Sequence, residues 1–262
     1  MNESWSYPSV VGSLLYLATN TRLDIAFAVS QIGRFVHHPK KSHATAVKTL
    51  LRYLKKTKEF GTIIKPGGLL IIDLWVDSDF ANLFKIDPDQ SPTASKSRAG
   101  FLICLSDIPL LWKSFLMPRT CLSTTEAEYQ AASTALRFLI PIRRVVLEMF
   151  RRHGYSKNHL RVNTTVHEDN AACYQLMTEQ RLTNRTRYIL TSTHWFWEYI
   201  HRHADDDDDE QYRNDATDGT PALERRSIKV VKVPTDLQRA NYLTKGLARV
   251  QFERERKLSQ GW

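Results

Sequence analysis

Apolar positions along the first sixty residues recur at the spacing of amphipathic helices, in two segments before residue 40 and a clearer third one. Ser42 is the predicted N-cap of the third segment. One face is then apolar and the other basic, the apolar residues being Ala46, Val47, Leu50, Leu51 and Leu54 and the basic ones Lys48, Arg52, Lys55 and Lys56. A basic helix face can contact a phosphate backbone, or it can simply be exposed to solvent. Exposure to solvent is the commoner explanation of such a face. Residues 1–66 are therefore predicted to form a small helical region that ends in a Pro-Gly-Gly linker.

After the linker the periodicity becomes that of strands. Residues 69–76 are short, apolar and β-prone, and they lead directly into Asp77. Residues 99–105 and 110–114 flank a turn that contains Asp107 and Pro109, so they are predicted to form a hairpin.

A long helix is predicted over residues 124–152. Ser123 and Glu126 have the spacing of a capping box, which marks the start of the helix. Glu128 then falls in the first turns, near the positive end of the helix dipole. Pro141 should kink the helix, because its ring removes a hydrogen bond and clashes with the preceding turn.

The remaining pattern predicts a strand at 160–166, a short helix at 169–177, a helix at 188–203, a strand at 227–233 and a helix at 236–247. The helix at 188–203 carries an aromatic stripe that favours core packing over stacking on bases, and its members are Trp195, Phe196, Trp197 and Tyr199. Residues 204–226 contain five consecutive aspartates and are expected to be a disordered acidic insertion. Residues 248–262 are a basic C-terminal tail.

Charge narrows the class of partner. The 262 residues carry a formal net charge of +9, and residues 204–226 hold nine acidic and three basic side chains, or −6, so the rest carries +15. Such an excess favours polyanions, nucleic acid first among them, although a basic protein without that partner fits the charge equally well.

Cysteine usage and hydropathy bear on the compartment. Cys104, Cys121 and Cys173 are widely spaced, which argues against a disulfide framework and against a zinc site. The first residues show no basic region followed by an apolar core, so we expect no signal peptide, and no apolar run reaches the roughly 18 residues that a membrane span needs. We expect an intracellular protein, cytoplasmic or nuclear, that is not secreted and has no membrane association.

Three acidic residues stand at transitions of the predicted elements. Asp77 ends a strand, Glu128 lies on the long helix, and Asp169 follows another strand. If the two strands are neighbours and the helix packs beside them, the carboxylates converge. Carboxylate oxygens suit hard cations such as Mg²⁺, and a pair of such ions about 4 Å apart is used by many nucleases.

Several motifs together resemble one family. They are residues 7–17 (YPSVVGSLLYL), 22–29 (RLDIAFAV), 51–55 (LRYLK), 122–129 (LSTTEAEY), 168–170 (EDN) and 243–245 (LTK). In this order they resemble the segment after the reverse transcriptase and the ribonuclease H region of copia-type retrotransposon polyproteins. The resemblance covers nearly the whole chain, although each motif alone would be weak.

The resemblance implies an α/β fold with a ribonuclease H-like five-stranded mixed sheet flanked by helices, over residues 67–247, preceded by the helical region. It also implies cleavage of the RNA strand of an RNA–DNA hybrid with two divalent ions, Mg²⁺ or Mn²⁺. Asp77, Glu128 and Asp169 match the family's catalytic and metal-binding carboxylates. Glu126 and Glu128 point about 200° apart on a helix, so both cannot face the site, and the motif favours Glu128.

The chain departs from the family at several positions. Asn241 stands where the family has an aspartate, and Tyr188 and Leu190 stand where it usually has His and Asp. Asn241 can still bind a hard cation through its amide oxygen, but it adds no charge. Asp236 lies five residues earlier, too far to replace it without a shift of the backbone.

These departures fit a partial or decaying copy of an element and leave three hypotheses. The first is a metal-dependent ribonuclease H, impaired by the missing fourth carboxylate. The second is an inactive nucleic-acid-binding remnant. The third is an interaction scaffold whose acids are ordinary turn residues. The sequence does not specify an oligomeric state.

Overall fold

The computed structural model describes residues 5–65, 71–81, 93–154, 163–184, 186–189, 191–201 and 227–262. The strands in these ranges are β1 (Ile71–Asp79), β2 (Arg98–Leu105), β3 (Ile108–Leu116), β4 (Asn163–Glu168) and β5 (Ile228–Lys232). The helices are α1 (Tyr7–Asn20), α2 (Ala26–Gly33), α3 (Lys41–Lys56), α4 (Thr124–Arg152), α5 (Ala171–Glu179) and α6 (Arg249–Gln260). None of the helices in the described ranges is long and apolar enough to span a bilayer.

The five strands form a mixed sheet in the order β3-β2-β1-β4-β5. β2 is antiparallel to β1 and to β3, whereas β4 is parallel to β1 and to β5. Because β1 and β4 are neighbouring parallel strands, their carboxyl ends lie at the same edge of the sheet. The prediction of a five-stranded mixed sheet flanked by helices and preceded by a helical region is confirmed.

α4 and α5 cover one face of the sheet. Alternate residues of β1 point into this core, where they meet the small and aromatic residues of α4, and the buried set includes Ile72, Leu74, Val76, Ala127, Ala131 and Leu136. Ser123 caps α4, since its hydroxyl accepts a hydrogen bond from the Glu126 N–H at 3.1 Å. The predicted start of the helix is therefore confirmed, and the helix continues through Pro141 to Arg152.

The opposite face of the sheet is covered by segments from both ends of the chain. A second core joins Leu23 and Ala26 to Trp75 and Leu102 of the sheet and to the segment after β5, which contributes Ala240, Tyr242 and Leu243. Cys104 belongs to this core, and it is buried and free, as are Cys121 and Cys173. The C-terminal segment is thus part of the packed fold.

Arg98, the first residue of β2, attaches the helical region to the sheet. Its guanidinium is almost fully buried, donates to Ser30 Oγ at 2.7 Å and to Gln31 Oε1 at 3.0 Å, and lies over the Phe27 ring. Trp112 Nε1 on β3 donates to the Ala18 carbonyl at 2.6 Å. These bonds run from the sheet to α1 and α2, so the helical region packs directly on the sheet.

The predicted basic tail forms α6 and reaches back to the helical region. The Arg256 guanidinium lies 4.0 Å from the centre of the Trp262 ring, and it donates to Tyr53 Oη at 3.1 Å. The Ile63 N–H donates to the Gln260 carbonyl at 2.9 Å. α6 therefore packs against α3 and the residues that follow it.

Two helix predictions near the C-terminus are wrong. The described part of residues 188–203 contains 3-10 turns at Thr191–Thr193 and Trp195–Glu198. Ile200 pairs with Ile228, the first residue of β5, and this pairing is incompatible with a helix that continues to residue 203. The aromatic residues still pack in the core, where Phe196 is fully buried.

The second wrong prediction is the helix at 236–247. This segment instead holds 3-10 turns at Thr235–Leu237 and Asn241–Leu243. Gln238 between them is extended, because its side-chain amide donates to the Val76 carbonyl at 2.9 Å and the His167 carbonyl at 3.2 Å. The side chain thereby bridges the ends of β1 and β4.

Other predictions need smaller corrections or lie outside the described residues. The N-cap position of α3 is occupied by Lys40, whose N–H donates to His43 Nδ1 at 3.0 Å, and the predicted cap Ser42 lies inside the first turn. The Pro-Gly-Gly linker, Leu190 and the acidic insertion at 204–226 all lie outside the described residues.

Replacing Arg98 with methionine should destabilise the protein by roughly 2 to 4 kcal/mol, because the acceptors on Ser30 and Gln31 would lose a buried charged donor. Urea denaturation of wild type and variant measures this difference in the free energy of unfolding. The matched control is Arg52→Met on the exposed face of α3, which should change it by less than about 0.5 kcal/mol. Equal losses in the two variants would contradict the proposed role of Arg98 in joining the helical region to the sheet.

Candidate metal centre

Asp77 lies near the end of β1 and is 2% exposed. Its partner on β2 is Gly100, and a Cβ atom added there would lie 2.6 Å from Leu243 Cβ and 2.8 Å from Thr244 Cγ2. Real Cβ contacts are not that short, so glycine is what allows the 243–244 segment to approach the sheet beside Asp77. The Thr244 hydroxyl donates to Asp77 Oδ2 as a result of this approach.

Glu128 reaches the site from the first turns of α4, and it is 7% exposed. Glu126 serves a different purpose. Its Oε2 accepts from the Leu122 N–H at 2.6 Å and its Oε1 from Gln130 Nε2 at 2.9 Å, so it fixes the start of the helix. Glu126 therefore stabilises the start of the helix and Glu128 faces the site, because the two side chains point in different directions on the helix.

Asp169 follows β4 directly and is partly exposed. The next residue, Asn170, caps α5, with its side-chain oxygen accepting from the N–H groups of Ala172 and Cys173 at 3.0 Å each. Asp169 is therefore held between the end of a strand and the start of a capped helix. Both neighbours restrict the direction of its side chain.

The three carboxylates meet at this edge. Each of Asp77, Glu128 and Asp169 offers an oxygen, and these oxygens lie within 4.8 Å of one another. Glu128 Oε2 is buried and has no hydrogen-bond partner among the described residues. An all-oxygen donor set with an unsatisfied carboxylate oxygen fits a hard divalent cation. The catalytic roles predicted for these residues remain predictions.

The electrostatics of the site also favour a cation. The pKa of Asp77 is raised to about 6, chiefly by burial and also by the charges of Asp169 and Asp79, against the opposing effects of Lys245 and Thr244. The pKa of Glu128 is raised first by burial and then by the charge of Glu168. Without a counter-ion, the site therefore disfavours the ionised state of its own ligands.

Glu168 is a buried acid that the sequence analysis did not select. It is fully buried at the end of β4, its Oε1 accepts from the Asn170 N–H at 3.0 Å, and burial raises its pKa to about 8. The signal was present in the strand, because Thr164, Val166 and Glu168 share the buried face. Glu168 thus adds a carboxyl group behind the three that converge.

Asn241 is buried and its side chain stabilises a turn. Its Nδ2 donates to the Thr235 carbonyl at 2.8 Å and the Gln238 carbonyl at 3.1 Å, while Oδ1 has no hydrogen-bond partner in the described parts of the chain. An aspartate could not donate these two bonds. Asp236 is exposed and pairs with Arg254 at 3.3 Å. The metal-binding role of Asn241 remains a prediction.

Comparison with known proteins decides the family. Over 248 residues, covering 94% of the chain, it is 33% identical to the retrovirus-related Pol polyprotein from transposon TNT 1-94 of Nicotiana tabacum. Over 247 residues, again 94% of the chain, it is 29% identical to the corresponding polyprotein from transposon RE2 of Arabidopsis thaliana. The chain belongs to the copia-type retrotransposon Pol family. The resemblance found in the motifs is thereby confirmed.

This retrotransposon Pol chain spans 16% of the tobacco polyprotein and 14% of the RE2 polyprotein. No protein-family model matches it. Among solved structures, LC11-RNase H1, isolated from compost, matches with 13% sequence identity and a TM-score of 0.34, covering 67% of this chain and 94% of the other. The chain thus aligns with a short segment of these much longer polyproteins.

Gly100→Ala should separate the 243–244 segment from Asp77, because the new Cβ would collide with the Leu243 side chain and with Thr244. We expect a loss of roughly 1 to 3 kcal/mol in the free energy of unfolding, measured by thermal or urea denaturation. Gly61→Ala is the matched control, since nothing lies within 4 Å of a Cβ there. If both variants lost the same stability, the close approach at Gly100 would be disproved.

The metal-free protein should lose stability as the pH rises. The pKa values of about 6 for Asp77 and about 8 for Glu168 lie above their unfolded values of 3.8 and 4.5, so the folded state binds more protons across this range. In a chelating buffer, the free energy of unfolding should fall by roughly 1 to 3 kcal/mol from pH 5 to pH 8. Glu168→Gln should flatten the part of the curve above pH 6. A curve of unchanged shape in this variant would contradict the assignment.

Proposed function

We propose that this Pol segment is a ribonuclease H-type endonuclease that cleaves the RNA strand of RNA–DNA hybrids with divalent ions, Mg²⁺ or Mn²⁺. The observation that supports it most strongly is the meeting of Asp77, Glu128 and Asp169, whose oxygens lie within 4.8 Å of one another. They come from β1, α4 and the end of β4, which are the positions the family motifs assign to its catalytic carboxylates.

The residues of the chain hold and orient the reacting groups. A divalent ion, when bound, lowers the pKa of a coordinated water and stabilises the charge that develops on the leaving oxygen. Thr244 fixes one oxygen of Asp77, and the start of α4 fixes Glu128. Asp169 is partly exposed, so it lies where the site opens to a substrate. Asn241 would contribute at most an uncharged amide oxygen.

A hybrid duplex suits the charge of the protein. Outside residues 204–226 the chain carries +15, obtained as +9 plus the 6 negative charges of that segment. The basic face of α3 is exposed, and its members are Lys48, Arg52, Lys55 and Lys56. Phosphate contacts of this kind give affinity without sequence preference, and the 2′-hydroxyl distinguishes the RNA strand from the DNA strand.

A second candidate function is an inactive nucleic-acid-binding remnant of the element. Asn241 favours it, because the fourth position supplies no charge and its amide already bonds to two backbone carbonyls. This candidate would bind a hybrid in a salt-dependent manner and would not cleave it, whichever metal ion is supplied.

Cleavage of a labelled RNA–DNA hybrid in Mg²⁺ and in Mn²⁺ separates the two candidates. If the chain is active, Asp77→Asn should lower the rate by about 100-fold or more, because a metal-binding carboxylate loses its charge. Glu59→Gln, at an exposed position beside Lys58, is the matched control and should keep the wild-type rate. Binding without cleavage in either metal would refute the enzymatic proposal and support the remnant.

A further inference from the structure

A carboxyl group of α6 is buried behind the segment that reaches Asp77. Glu255 is 1% exposed, whereas Arg254 and Lys257 on the same helix are exposed. Its pKa is raised to about 7, chiefly by burial and also by the charge of Asp77, against the hydrogen bonds that it accepts. Burying a carboxyl group is unfavourable unless hydrogen bonds offset the loss of water. The partners of Glu255 therefore show what its burial achieves.

Both oxygens of Glu255 accept hydrogen bonds. Oε1 accepts from Gln251 Nε2, one turn earlier on α6, at 3.1 Å. Oε2 accepts from the Tyr242 N–H, also at 3.1 Å, and Tyr242 lies in the 3-10 turn Asn241–Leu243. Tyr242 is itself 2% exposed, so this bond lies inside the protein. Glu255 thus ties α6 to the backbone of a turn that precedes the helix.

This turn leads directly into the two groups that contact Asp77. The Thr244 hydroxyl donates to Asp77 Oδ2 and lies 2.9 Å from the Asn241 carbonyl oxygen. Lys245 Nζ lies 3.6 Å from the same oxygen of Asp77. The side chain of Asp77 is 2% exposed, so these neighbours rather than solvent restrict its orientation. A shift of the turn would be transmitted to Asp77 through Thr244.

We propose that Glu255 is a positioning residue of the candidate metal centre, because it holds the 241–243 turn against α6 and thereby keeps Thr244 on Asp77. The inference rests on the proposed function only in that Asp77, Glu128 and Asp169 hold a metal. Replacing a group that orients a metal ligand lowers metal affinity by about 10- to 100-fold. Glu255 acts through Thr244 rather than on the ligand itself, so we expect the lower end of that range.

Two substitutions separate the reach of the side chain from its charge. Glu255→Asp keeps the charge but withdraws the acceptor from the Tyr242 N–H by one methylene. Glu255→Gln keeps an oxygen at the same reach and removes the charge, and Gln251 can turn its own amide oxygen toward the new amide. The exposed Glu253, which pairs with Arg249 on the same helix, provides the matched control Glu253→Asp.

Calorimetric titration of the metal-free full chain with Mn²⁺ at pH 8, without nucleic acid, measures the affinity of the centre. Glu255→Asp should weaken it by about 10-fold. Glu255→Gln and Glu253→Asp should stay within about twofold of wild type, because neither withdraws the acceptor from the Tyr242 N–H.

A double-mutant cycle tests the route through Thr244. Thr244→Val removes the hydroxyl that contacts Asp77, so it should weaken Mn²⁺ binding at least as much as Glu255→Asp does. Adding Glu255→Asp to Thr244→Val should then cause less than about a twofold further loss, since both substitutions act on one contact. A full additional loss of about 10-fold would contradict the proposed route.

The outcomes separate the inference from the proposed function. Wild-type affinity in Glu255→Asp with the fold intact by circular dichroism, or an equal loss in Glu255→Gln, would overturn the role of Glu255 and leave a metal-dependent nuclease in place. If one of the two variants fails to fold, the other decides by the same criterion. If wild type binds no Mn²⁺, both the inference and the metal premise of the proposed function fall.

Discussion

Three carboxylates whose oxygens lie within 4.8 Å of one another repel, and the surrounding structure is arranged around that repulsion. Burial adds to the free-energy cost of ionising them, and it is the largest cause of the raised pKa of Asp77 and of Glu128. The Thr244 hydroxyl and the ammonium of Lys245 stabilise part of this negative charge, since both lie against Asp77 Oδ2. The rest is left for an external cation, which is why the cluster supports a metal-dependent function better than a structural one.

The site depends on parts of the chain that are distant in sequence. The C-terminal segment reaches Asp77 because it packs on the face of the sheet opposite α4 and α5, in the core that also contains Leu23 and Ala26. Those residues are held in turn by the bonds of Arg98 to α2. The helical region is therefore a support for the segment that completes the site, although it contributes no ligand to the cluster of three carboxylates.

Much of the fold could be predicted where local signals agree with the tertiary structure. Ser123 marks the start of α4, and alternation of apolar residues marks β1. Prediction failed where long-range hydrogen bonds decide the backbone. The Gln238 side chain bonds to both β1 and β4, and the segment around it forms two short turns instead of the predicted helix. Within the site, Asp77, Glu128 and Asp169 could be selected by motif. The contribution of Lys245 could not, because it depends on a close approach over Gly100 that no local pattern reveals.

The central claim is that the three carboxylates form a metal centre, and anomalous diffraction from crystals soaked in Mn²⁺ tests it most directly. We expect an anomalous peak bonded to oxygens of Asp77, Glu128 and Asp169 at about 2.0 to 2.3 Å. Crystals that take up Mn²⁺ at other sites while showing no peak among these carboxylates would contradict it.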